Sequence, residues 1–366
     1  MTHVCDFHLK YATGLARGMA DAGCDTTLVT RTHDLEFGGV EGAMKAYVAQ
    51  VGDGRIGHYR LPGSVRDSRY ARAALALRHE LRQRSASVIH FQEGVTNDPR
   101  LMLSSGIPVR RYALTVHDAE AHPGDDWSPA QRWARSLVRS GAGVIFVHSD
   151  SIREQLQEVE RLPLPPVEVV PHGVGRPQVA PLPTVPSLLF FGRISTYYKG
   201  LDVLLDAMPI IWERLPNATL KIAGPGDIES HEALDDARIL VRNEYVADED
   251  VPALFAEATC CVLPYREASQ SGVGSQAKAF GRGIVATAVG GLPDLVADGS
   301  GCLVPPGDPS ALASALIDVL DSPETAAEMS GAAVESVVTT GWRPVAAQTL
   351  EAYGRHLAPR RTAPWS

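Results

Sequence analysis

The strongest constraint on the fold is a repeated alternation of short apolar runs with helical stretches along most of the 366 residues. In the first half, strand-like runs occur at 26–29, 87–91, 113–116, 144–147 and 167–170. In the second half, they occur at 187–191, 219–223, 239–241, 260–263 and 284–287. Apolar strands that alternate with helices predict parallel sheets covered on both faces. We therefore expect an α/β protein.

A proline-rich segment, VGRPQVAPLPTVPS at 174–187, separates the two series of strands. Repeated prolines disfavour both helix and inner strand, so this segment predicts a linker. We predict two Rossmann-like, doubly wound parallel-sheet domains at 1–178 and 179–343 that face a central cleft. A helix at 344–366 is expected to pack back on the first domain. Ligands of such sheets bind at the carboxyl ends of the strands.

Composition excludes several classes of protein. The formal net charge of −9 argues against nucleic-acid binding, which needs a basic face. The sequence contains no run of about 18 apolar residues, so no transmembrane helix is expected. The N-terminal segment lacks the pattern of a secretory signal, so we expect a cytoplasmic protein. The five cysteines lack metal-ligand spacing and are interpreted as reduced core thiols: Cys5, Cys24, Cys260, Cys261 and Cys302.

The first motif with chemical content is FFGRISTYYKG at 190–200. A strand ends at Phe191, and Gly192 permits a tight turn after it. Arg193 and Lys199 bracket the loop that follows, and two cations at the carboxyl end of a strand suit a diphosphate. The alternative interpretation is a surface loop with two solvated basic residues.

The second motif is LPYREASQSGVGSQAKAFGRG at 263–283. A strand leads into a polar turn that contains Glu267, and Ser271 and Gly272 open a helix. The N–H groups and the positive dipole end of that helix favour an anion. Gln276 lies about one turn inside the helix and projects toward the same side. Ordinary helix capping is the alternative, because Glu and Ser favour helix starts.

Other segments along the chain accompany these two motifs. In the second half they are VVPHGV at 169–174, FFGRISTYYKGLDVLLDA at 190–207, LKIAGPGD at 220–227 and the stretch 267–308. In the first half, LTVHDAEAHPGD at 114–125 and FVHSDSIREQL at 146–156 match more loosely. Together the segments resemble the family 4 glycosyltransferases of GT-B architecture. The resemblance implies transfer of a sugar from a nucleoside diphosphate, with UDP or GDP as the nucleotide, to an acceptor.

The resemblance also implies roles in donor binding. Arg193 and Lys199 would hold the donor diphosphate and stabilise the leaving charge. Amides near Ser271 and Gly272 would add to that stabilisation. The donor-binding residues implied in this way are Gly192, Arg193, Lys199, Gly224, Glu267, Ser271, Gly272 and Gln276.

The Glu-x7-Glu motif of the family is matched only in part. Glu267 aligns with its first acid, which contacts the donor sugar, and the residues implied in catalysis are His117, Arg193, Lys199 and Glu267. Gln276 aligns with the second acid, which grips the ribose hydroxyls, although the intervening spacing is one residue longer here. An amide can still hydrogen-bond a ribose hydroxyl.

In the first domain, His117 follows a strand and matches the histidine of the family that faces the donor sugar. A structural role is the alternative for a lone histidine. Asp118 and His122 lie in the same loop and are predicted on the acceptor side. His148 and His172 are interpreted as structural residues that hydrogen-bond loops near the cleft.

Acceptor recognition departs from the pattern of the family. Many relatives carry a paired-glycine loop after the first strand, whereas here the loop is DFHLKYATG at 6–14, with only Gly14. The acceptor therefore stays open among a glycan, a lipid-linked molecule and a small molecule. The stretch 66–84 has an Ala/Leu face and many arginines. It predicts either peripheral contact with the inner membrane face or a packed helix with a solvated face.

Asp248, Glu249 and Asp250 precede VPALFAEA, an evident helix. An Asp-x-Asp sequence binds metal in another glycosyltransferase fold, but acids also favour the first turn of a helix. We interpret the three acids as capping residues. Because Arg193 and Lys199 are available for the diphosphate, we expect neither a metal nor another cofactor.

We predict a retaining, metal-independent hexosyltransferase, with retention implied by the resemblance. An epimerase of the same fold would turn over the nucleotide sugar without an acceptor, and a phosphorylase would need a longer chain or a pyridoxal phosphate lysine. A non-catalytic nucleotide-sugar binding subunit would bind donor without turnover, and Gln276 is its best support. A nicotinamide dehydrogenase is disfavoured because no Gly-x-Gly-x-x-Gly follows a strand.

Overall fold

The computed structural model describes residues 1–5, 8–31, 42–61, 72, 75, 76, 79, 88–93, 112–120, 127–194 and 197–357. The chain divides into two compact units. The first contains Met1–Gly173 and Trp342–Ser366, and the second contains Val174–Gly341. Two predictions, on His122 and on all but four residues of the stretch 66–84, lie outside the described residues.

Residues 174–178, predicted from the sequence to end the first domain, belong to the second unit. Val174 pairs with Gly341 in an isolated bridge. The N–H of Gln178 donates to the carbonyl of Ala279 at 2.8 Å. These contacts tie the start of the proline-rich segment to the second unit.

The first unit is built on a parallel sheet. Its described strands are β1 (Thr2–Cys5), β2 (Thr26–Arg31), β3 (Ile56–Leu61), β4 (Ile89–Gln92), β5 (Tyr112–Thr115), β6 (Val144–Val147) and β7 (Val167–Val169). Their order across the sheet is β3-β2-β1-β4-β5-β6-β7, and each neighbouring pair is parallel. The order reverses between β1 and β4, which is the topological switch point where Rossmann-like sheets bind ligands. The predicted parallel sheet is confirmed, whereas β1 and β3 were not predicted.

The second unit repeats this topology in a six-stranded sheet of described residues. Its strands are β8 (Ser187–Phe191), β9 (Thr219–Ala223), β10 (Ile239–Arg242), β11 (Cys260–Leu263), β12 (Gly283–Thr287) and β13 (Gly301–Val304). Their order is β10-β9-β8-β11-β12-β13, again with parallel pairs, so the switch point lies between β8 and β11. The sequence pattern predicted all of these strands except β13.

Helices connect the strands, as the alternation predicts. The described helices are α1 (Leu9–Asp21), α2 (Ala43–Gly52), α3 (Pro129–Gly141), α4 (Asp150–Val159), α5 (Leu201–Arg214), α6 (Val251–Ala256), α7 (Gly272–Ala279), α8 (Leu292–Val296), α9 (Pro309–Asp321), α10 (Pro323–Thr340) and α11 (Trp342–His356). α5 continues through Pro209 to Arg214. In the described part of the chain, no helix combines the length and the apolar composition that crossing a bilayer requires.

The C-terminal helix α11 packs on α1 within the first unit. A Cβ atom at Gly14 would lie 2.1 Å from Cε2 of Trp342, and one at Gly18 would lie 2.3 Å from the carbonyl oxygen of Trp342. Only glycine therefore lets the indole reach the backbone of α1. Leu15 and Met19 of the same helix are fully buried in the adjoining core.

Both faces of the second sheet are covered, as a parallel sheet requires. Leu188 and Cys260 face one apolar cluster, whereas Leu189 and Cys261, the next residues of the same strands, face another. The side chains of successive strand residues point to opposite faces, so each strand reads as a continuous apolar run. Burial raises the pKa of the Cys260 thiol, which keeps it protonated. The described cysteines with free thiols are Cys24, Cys260, Cys261 and Cys302.

Candidate functional site

Two glycines let the ends of β8 and β9 meet beside the switch point of the second unit. Gly192 follows β8 with a φ of 114°, and its N–H donates to the carbonyl of Ala223 at 3.0 Å. Gly224 follows β9 with a φ of 139°, and a Cβ atom there would lie 1.8 Å from the carbonyl oxygen of Gly192. No other residue fits either conformation without strain. The structure thus brings together the predicted Gly192 and Gly224.

The N-terminus of α7 lies beside this turn. Ser271 precedes the helix, is 4% exposed, and accepts a hydrogen bond at Oγ from the N–H of Gly274 at 3.1 Å. A Cβ atom at Gly192 would lie 3.3 Å from Cγ2 of Val273, so the turn after β8 approaches the first turn of α7. N–H groups of a first turn have no acceptor within the helix, and they form its positive dipole end. The predicted helix start at Ser271 and Gly272 is confirmed.

Lys199 ends a 3-10 turn, Tyr197–Lys199, and reaches toward the same helix. Its Nζ atom lies 3.8 Å from the centroid of the Tyr265 ring. The hydroxyl of Tyr265 lies 3.3 Å from Oγ of Ser271. One side chain therefore separates the Lys199 ammonium from the cap of α7. The same ammonium partly offsets the burial that raises the pKa of Cys261 to about 12.

The remaining predicted donor-side residues are Arg193, Glu267 and Gln276. Arg193 directly follows Gly192, and its side chain is exposed. Glu267 is also exposed, on the loop before α7, and no hydrogen bond to another described residue holds its carboxylate. Gln276 lies in the second turn of α7. Its Oε1 atom is buried without a hydrogen-bond partner among the described residues, so the amide can accept a hydrogen bond from a ligand.

The acidic residues before α6 behave differently from their predicted capping role. Asp250 occupies the N-cap position, but its side chain does not bond the helix amides. Its Oδ2 instead accepts a hydrogen bond from Arg242 Nη2 at 2.8 Å, because the guanidinium offers a stronger charge-assisted bond. The predicted position of Asp250 at the start of α6 is therefore confirmed, but its side chain does not cap the helix by a hydrogen bond. In the described part of the chain, no group of three or more His, Cys, Asp and Glu side chains is arranged to hold a metal.

In the first unit, His117 follows β5 at the carboxyl edge of the sheet and is 2% exposed. Its Nε2 lies 2.9 Å from Oε1 of Gln92, the last residue of β4. An amide oxygen can only accept, so Nε2 carries the proton and Nδ1 keeps its lone pair. The ring of His8 stacks on that of His117 at 3.7 Å between centroids. His8 has a φ of 60°, a conformation that is uncommon outside glycine.

His117 belongs to an imidazole cluster that we define as His8, His117, His148 and His172. Tyr11 contacts three of these rings, with its centroid 5.1 Å from His117, 4.9 Å from His148 and 5.2 Å from His172. Burial lowers the pKa of His117 well below its ordinary value, with a further contribution from His8. Burial likewise lowers the pKa of His148 to about 4 and that of His172 to about 3. These three imidazoles are therefore neutral near pH 7.

The structural interpretation of His148 and His172 agrees with their backbone contacts. Nδ1 of His148 donates to the carbonyl of Val170 at 3.0 Å, and Nδ1 of His172 bonds the carbonyl of Gly173 at 3.1 Å. The other ring nitrogen of His148, Nε2, is buried and has no hydrogen-bond partner among the described residues. Sequence reasoning missed that the histidines form one cluster, because their loops are more than twenty residues apart in the chain.

A buried ionic network lies beneath the loop that contains Asp118. Arg139 donates to Oε1 of Glu93 from Nε at 2.8 Å and to Oε1 of Glu160 from Nη1 at 2.7 Å. It also donates to the carbonyls of Asp118 and Ala119, each at 3.0 Å. The guanidinium thereby fixes the main chain that follows His117. A cavity of about 880 Å³ opens beside this network.

Comparison with known proteins identifies the family. Residues 10–175 match the family described as Glycosyltransferase Family 4, and residues 185–322 match the family described as Glycosyl transferases group 1. The chain is 28% identical over 292 residues to glycogen synthase of Mycobacterium tuberculosis, an alignment that covers 73% of this chain and 68% of the relative. It is 32% identical over 188 residues to D-inositol 3-phosphate glycosyltransferase of Paenarthrobacter aurescens. That alignment covers 48% of this chain and 46%, less than half, of the relative.

Solved structures support the fold. The complex of Anabaena HepE with UDP-glucose superposes with a TM-score of 0.71 and covers 97% of this chain and all of HepE, at 16% sequence identity. At that identity the likeness concerns the fold, which is GT-B. The two family matches follow one another along the chain and together include most of both units. The chain therefore belongs to the family 4 glycosyltransferases.

Proposed function

We propose that this glycosyltransferase uses a nucleoside diphosphate sugar as donor and binds its diphosphate in the second unit. The observation that carries the proposal is the group formed by Gly192, Lys199 and the Ser271-capped start of α7 at the switch point between β8 and β11. An ammonium and the positive end of a helix both favour an anion. The neighbouring Arg193 adds a guanidinium with the geometry to bind phosphate oxygens.

The same group explains how the transfer would be accelerated. As the bond from the sugar to the diphosphate breaks, negative charge develops on the leaving phosphate. Fixed cations and helix amides stabilise that charge without reorganising, which is the largest source of catalysis in many enzymes. Arg193 and Lys199 would supply the cations, and the amides near Gly272 would supply the hydrogen bonds.

We further propose that transfer proceeds with retention of the anomeric configuration. A front-face route, in which the leaving phosphate guides the acceptor hydroxyl, needs no paired carboxylates for a double displacement. Glu267 and His117 would contact the donor sugar, and Gln276 would hydrogen-bond the ribose. The configuration of the product, read from the anomeric proton coupling by NMR, tests retention directly.

The donor is best identified by a thermal-shift screen of UDP-, GDP-, ADP- and dTDP-sugars. A ligand that binds the folded protein raises its melting temperature by mass action. The complex of HepE with UDP-glucose favours UDP-glucose as the first donor to try. A donor that stabilises the protein should then be turned over, and its hydrolysis or transfer should be followed with and without candidate acceptors.

Variants of the donor group test the phosphate role. Arg193→Ala combined with Lys199→Ala should abolish donor turnover and keep the far-UV circular dichroism of the wild type. Glu267→Ala should reduce turnover strongly. Arg214→Ala, which removes an exposed ion pair with Asp321 in the same unit, is the matched control and should retain turnover. Wild-type rates in the double variant would exclude the phosphate role.

Two further properties belong to the proposal. Activity should persist in EDTA, because Arg193 and Lys199 replace a divalent ion, and strict dependence on added metal would contradict the arrangement. The acceptor is a glycan, a lipid-linked molecule or a small molecule that binds on the side of Asp118, beside the cavity of the first unit. Vesicle flotation would test peripheral contact with the inner membrane face.

A further inference from the structure

The Lys199 ammonium lies over the ring of Tyr265, and its Nζ is also 5.4 Å from the centroid of the Tyr198 ring. Nζ is 3.8 Å from the centroid of the Tyr265 ring, and Tyr265 is 1% exposed within the core of the second unit. A cation is attracted to the negative face of an aromatic ring, and the attraction is strongest where water is excluded. Because the ring cannot move in a packed core, it offers Lys199 a fixed support.

Tyr265 is itself fastened to the start of α7. Its hydroxyl lies 3.3 Å from Oγ of Ser271, and its carbonyl accepts a hydrogen bond from Oγ1 of Thr287 at 2.5 Å. Ser271 in turn bonds the amide of Gly274. The position of the ammonium is therefore set relative to the helix amides that would face the same anion.

Arg266, the next residue, holds the main chain of the turn that carries Lys199. Its N–H donates to the carbonyl of Tyr198 at 2.7 Å, and Nη1 donates to the carbonyl of Tyr197 at 3.1 Å. The guanidinium also forms a bidentate pair with Asp202, with contacts of 2.7 and 2.5 Å. A Cβ atom at Gly200 would lie 1.9 Å from the carbonyl oxygen of Pro264, so the turn and the loop are in direct backbone contact.

We infer that Tyr265 and Arg266 are positioning residues that hold the Lys199 ammonium beside the start of α7 for a diphosphate, an inference that rests on the proposed function. The charge of Arg266 is already paired with Asp202. Arg266 would therefore contribute to anion binding by positioning the turn that carries Lys199, and not by its own charge. The ring of Tyr265 carries no charge to offer. Both residues therefore act through Lys199.

The test separates phosphate binding from nucleoside binding. UDP, GDP, ADP and dTDP are titrated calorimetrically, and the nucleoside of the best-binding base is titrated by ligand-observed NMR. Tyr265→Leu removes the ring face and should weaken the diphosphate about tenfold, with the nucleoside within about twofold of wild type. Tyr265→Phe keeps the face and should stay within about threefold. Arg214→Ala should bind both ligands as the wild type does.

A second pair of variants changes no side chain of the apolar core. Arg266→Ala and Asp202→Asn alter half-buried or exposed side chains and should each weaken the diphosphate about fivefold, again without a change in nucleoside binding. In a Lys199→Ala background, Tyr265→Leu and Arg266→Ala should cause no further loss, because the group that they position is gone.

The outcomes distinguish a failure of the proposed donor role from a failure of the positioning role. If the wild type binds none of the four nucleotides, the donor role itself fails. If the wild type binds a nucleotide and the variants bind it with the same affinity, the positioning role is refuted. The same holds if the variants lose nucleoside affinity as much as diphosphate affinity, or if they weaken nucleotide binding further in the Lys199→Ala background. Far-UV circular dichroism identifies a Tyr265→Leu protein that does not fold, in which case Arg266→Ala decides the question.

Discussion

Acidification should destabilise the first unit through its imidazole cluster. His117 and His148 are buried and neutral in the native protein, and their pKa values lie below the ordinary value. In the unfolded chain the same side chains titrate near pH 6.5. Below that pH the unfolded state binds protons that the native state does not. The free energy of unfolding must therefore fall as the pH is lowered from 7 toward the native pKa values.

The size of the effect follows from the same pKa values. With an unfolded pKa of about 6.5 and a native pKa of about 4, a histidine such as His148 costs the native state about 2 kcal/mol between pH 7 and pH 5. His172 adds a similar amount, because burial lowers its pKa to about 3, and His117 acts in the same direction. His148 and His172 together account for about 4 kcal/mol, a large part of the whole stability of many domains. Carboxylates whose pKa values are lowered, such as Asp202, act mainly below pH 4.

Urea denaturation at pH 7, 6 and 5 measures the slope of the free energy of unfolding against pH. Hydrogen exchange of peptides from β5 and β6 tests whether that slope belongs to the first unit. His148→Asn keeps an N–H near the Nδ1 position and removes one titrating group, so the slope between pH 7 and 5 should fall by about 1 kcal/mol per pH unit. His231→Gln changes a half-buried histidine of the second unit and should retain the cluster's steep slope. A free energy of unfolding that is constant between pH 7 and 5, or an unchanged slope in His148→Asn, would refute the reasoning.

Two further predictions concern packing and charge within the first unit. Gly14→Ala should destabilise it by about 1–3 kcal/mol, because the new Cβ would lie 2.1 Å from the Trp342 indole. Gly354→Ala meets no atom within 4 Å on α11 and should stabilise by up to about 1 kcal/mol, so thermal melts of the pair should shift in opposite directions. Arg139→Met should cost about 3–5 kcal/mol in urea denaturation, because the buried Glu160 would lose the cation that it pairs with, while Glu93 would keep Arg135. A cost below 1 kcal/mol would mean that water reaches the Glu160 carboxylate.

Several strands that the sequence predicts are buried on two faces, which leaves a continuous apolar run. β11 reads CCVL and β12 reads GIVAT, and all their side chains are buried. β3, IGHYRL, mixes polar and apolar residues because it lies at an edge of its sheet. β13, GCLV, is also an edge strand and has one exposed leucine. Edge strands need less apolar surface, so the patterns of β3 and β13 resemble that of a loop. Position in the sheet is not decisive, because the edge strands β7 and β10 were predicted and the interior strand β1 was missed.

The site could be predicted where it depends on local backbone chemistry. The turn at Gly192 and the helix start at Ser271 follow from residue types that few other conformations favour. The support of Lys199 by Tyr265 could not be predicted, because it joins two loops that meet only in the folded sheet. The burial of Arg139 was not predicted either. A signal that could have pointed to it is Glu93, an acid that directly follows β4.

The two units use one topology to build opposite electrostatic surroundings, and the proposed reaction needs both. At its switch point the second unit gathers the Lys199 ammonium and the positive end of α7, which suit a diphosphate. At the carboxyl edge of its sheet, the first unit gathers imidazoles that burial keeps uncharged, and these suit hydroxyl groups, which carry no charge. The depressed histidine pKa values keep these rings uncharged near pH 7 and make the stability of the first unit fall on acidification, which the urea experiment measures.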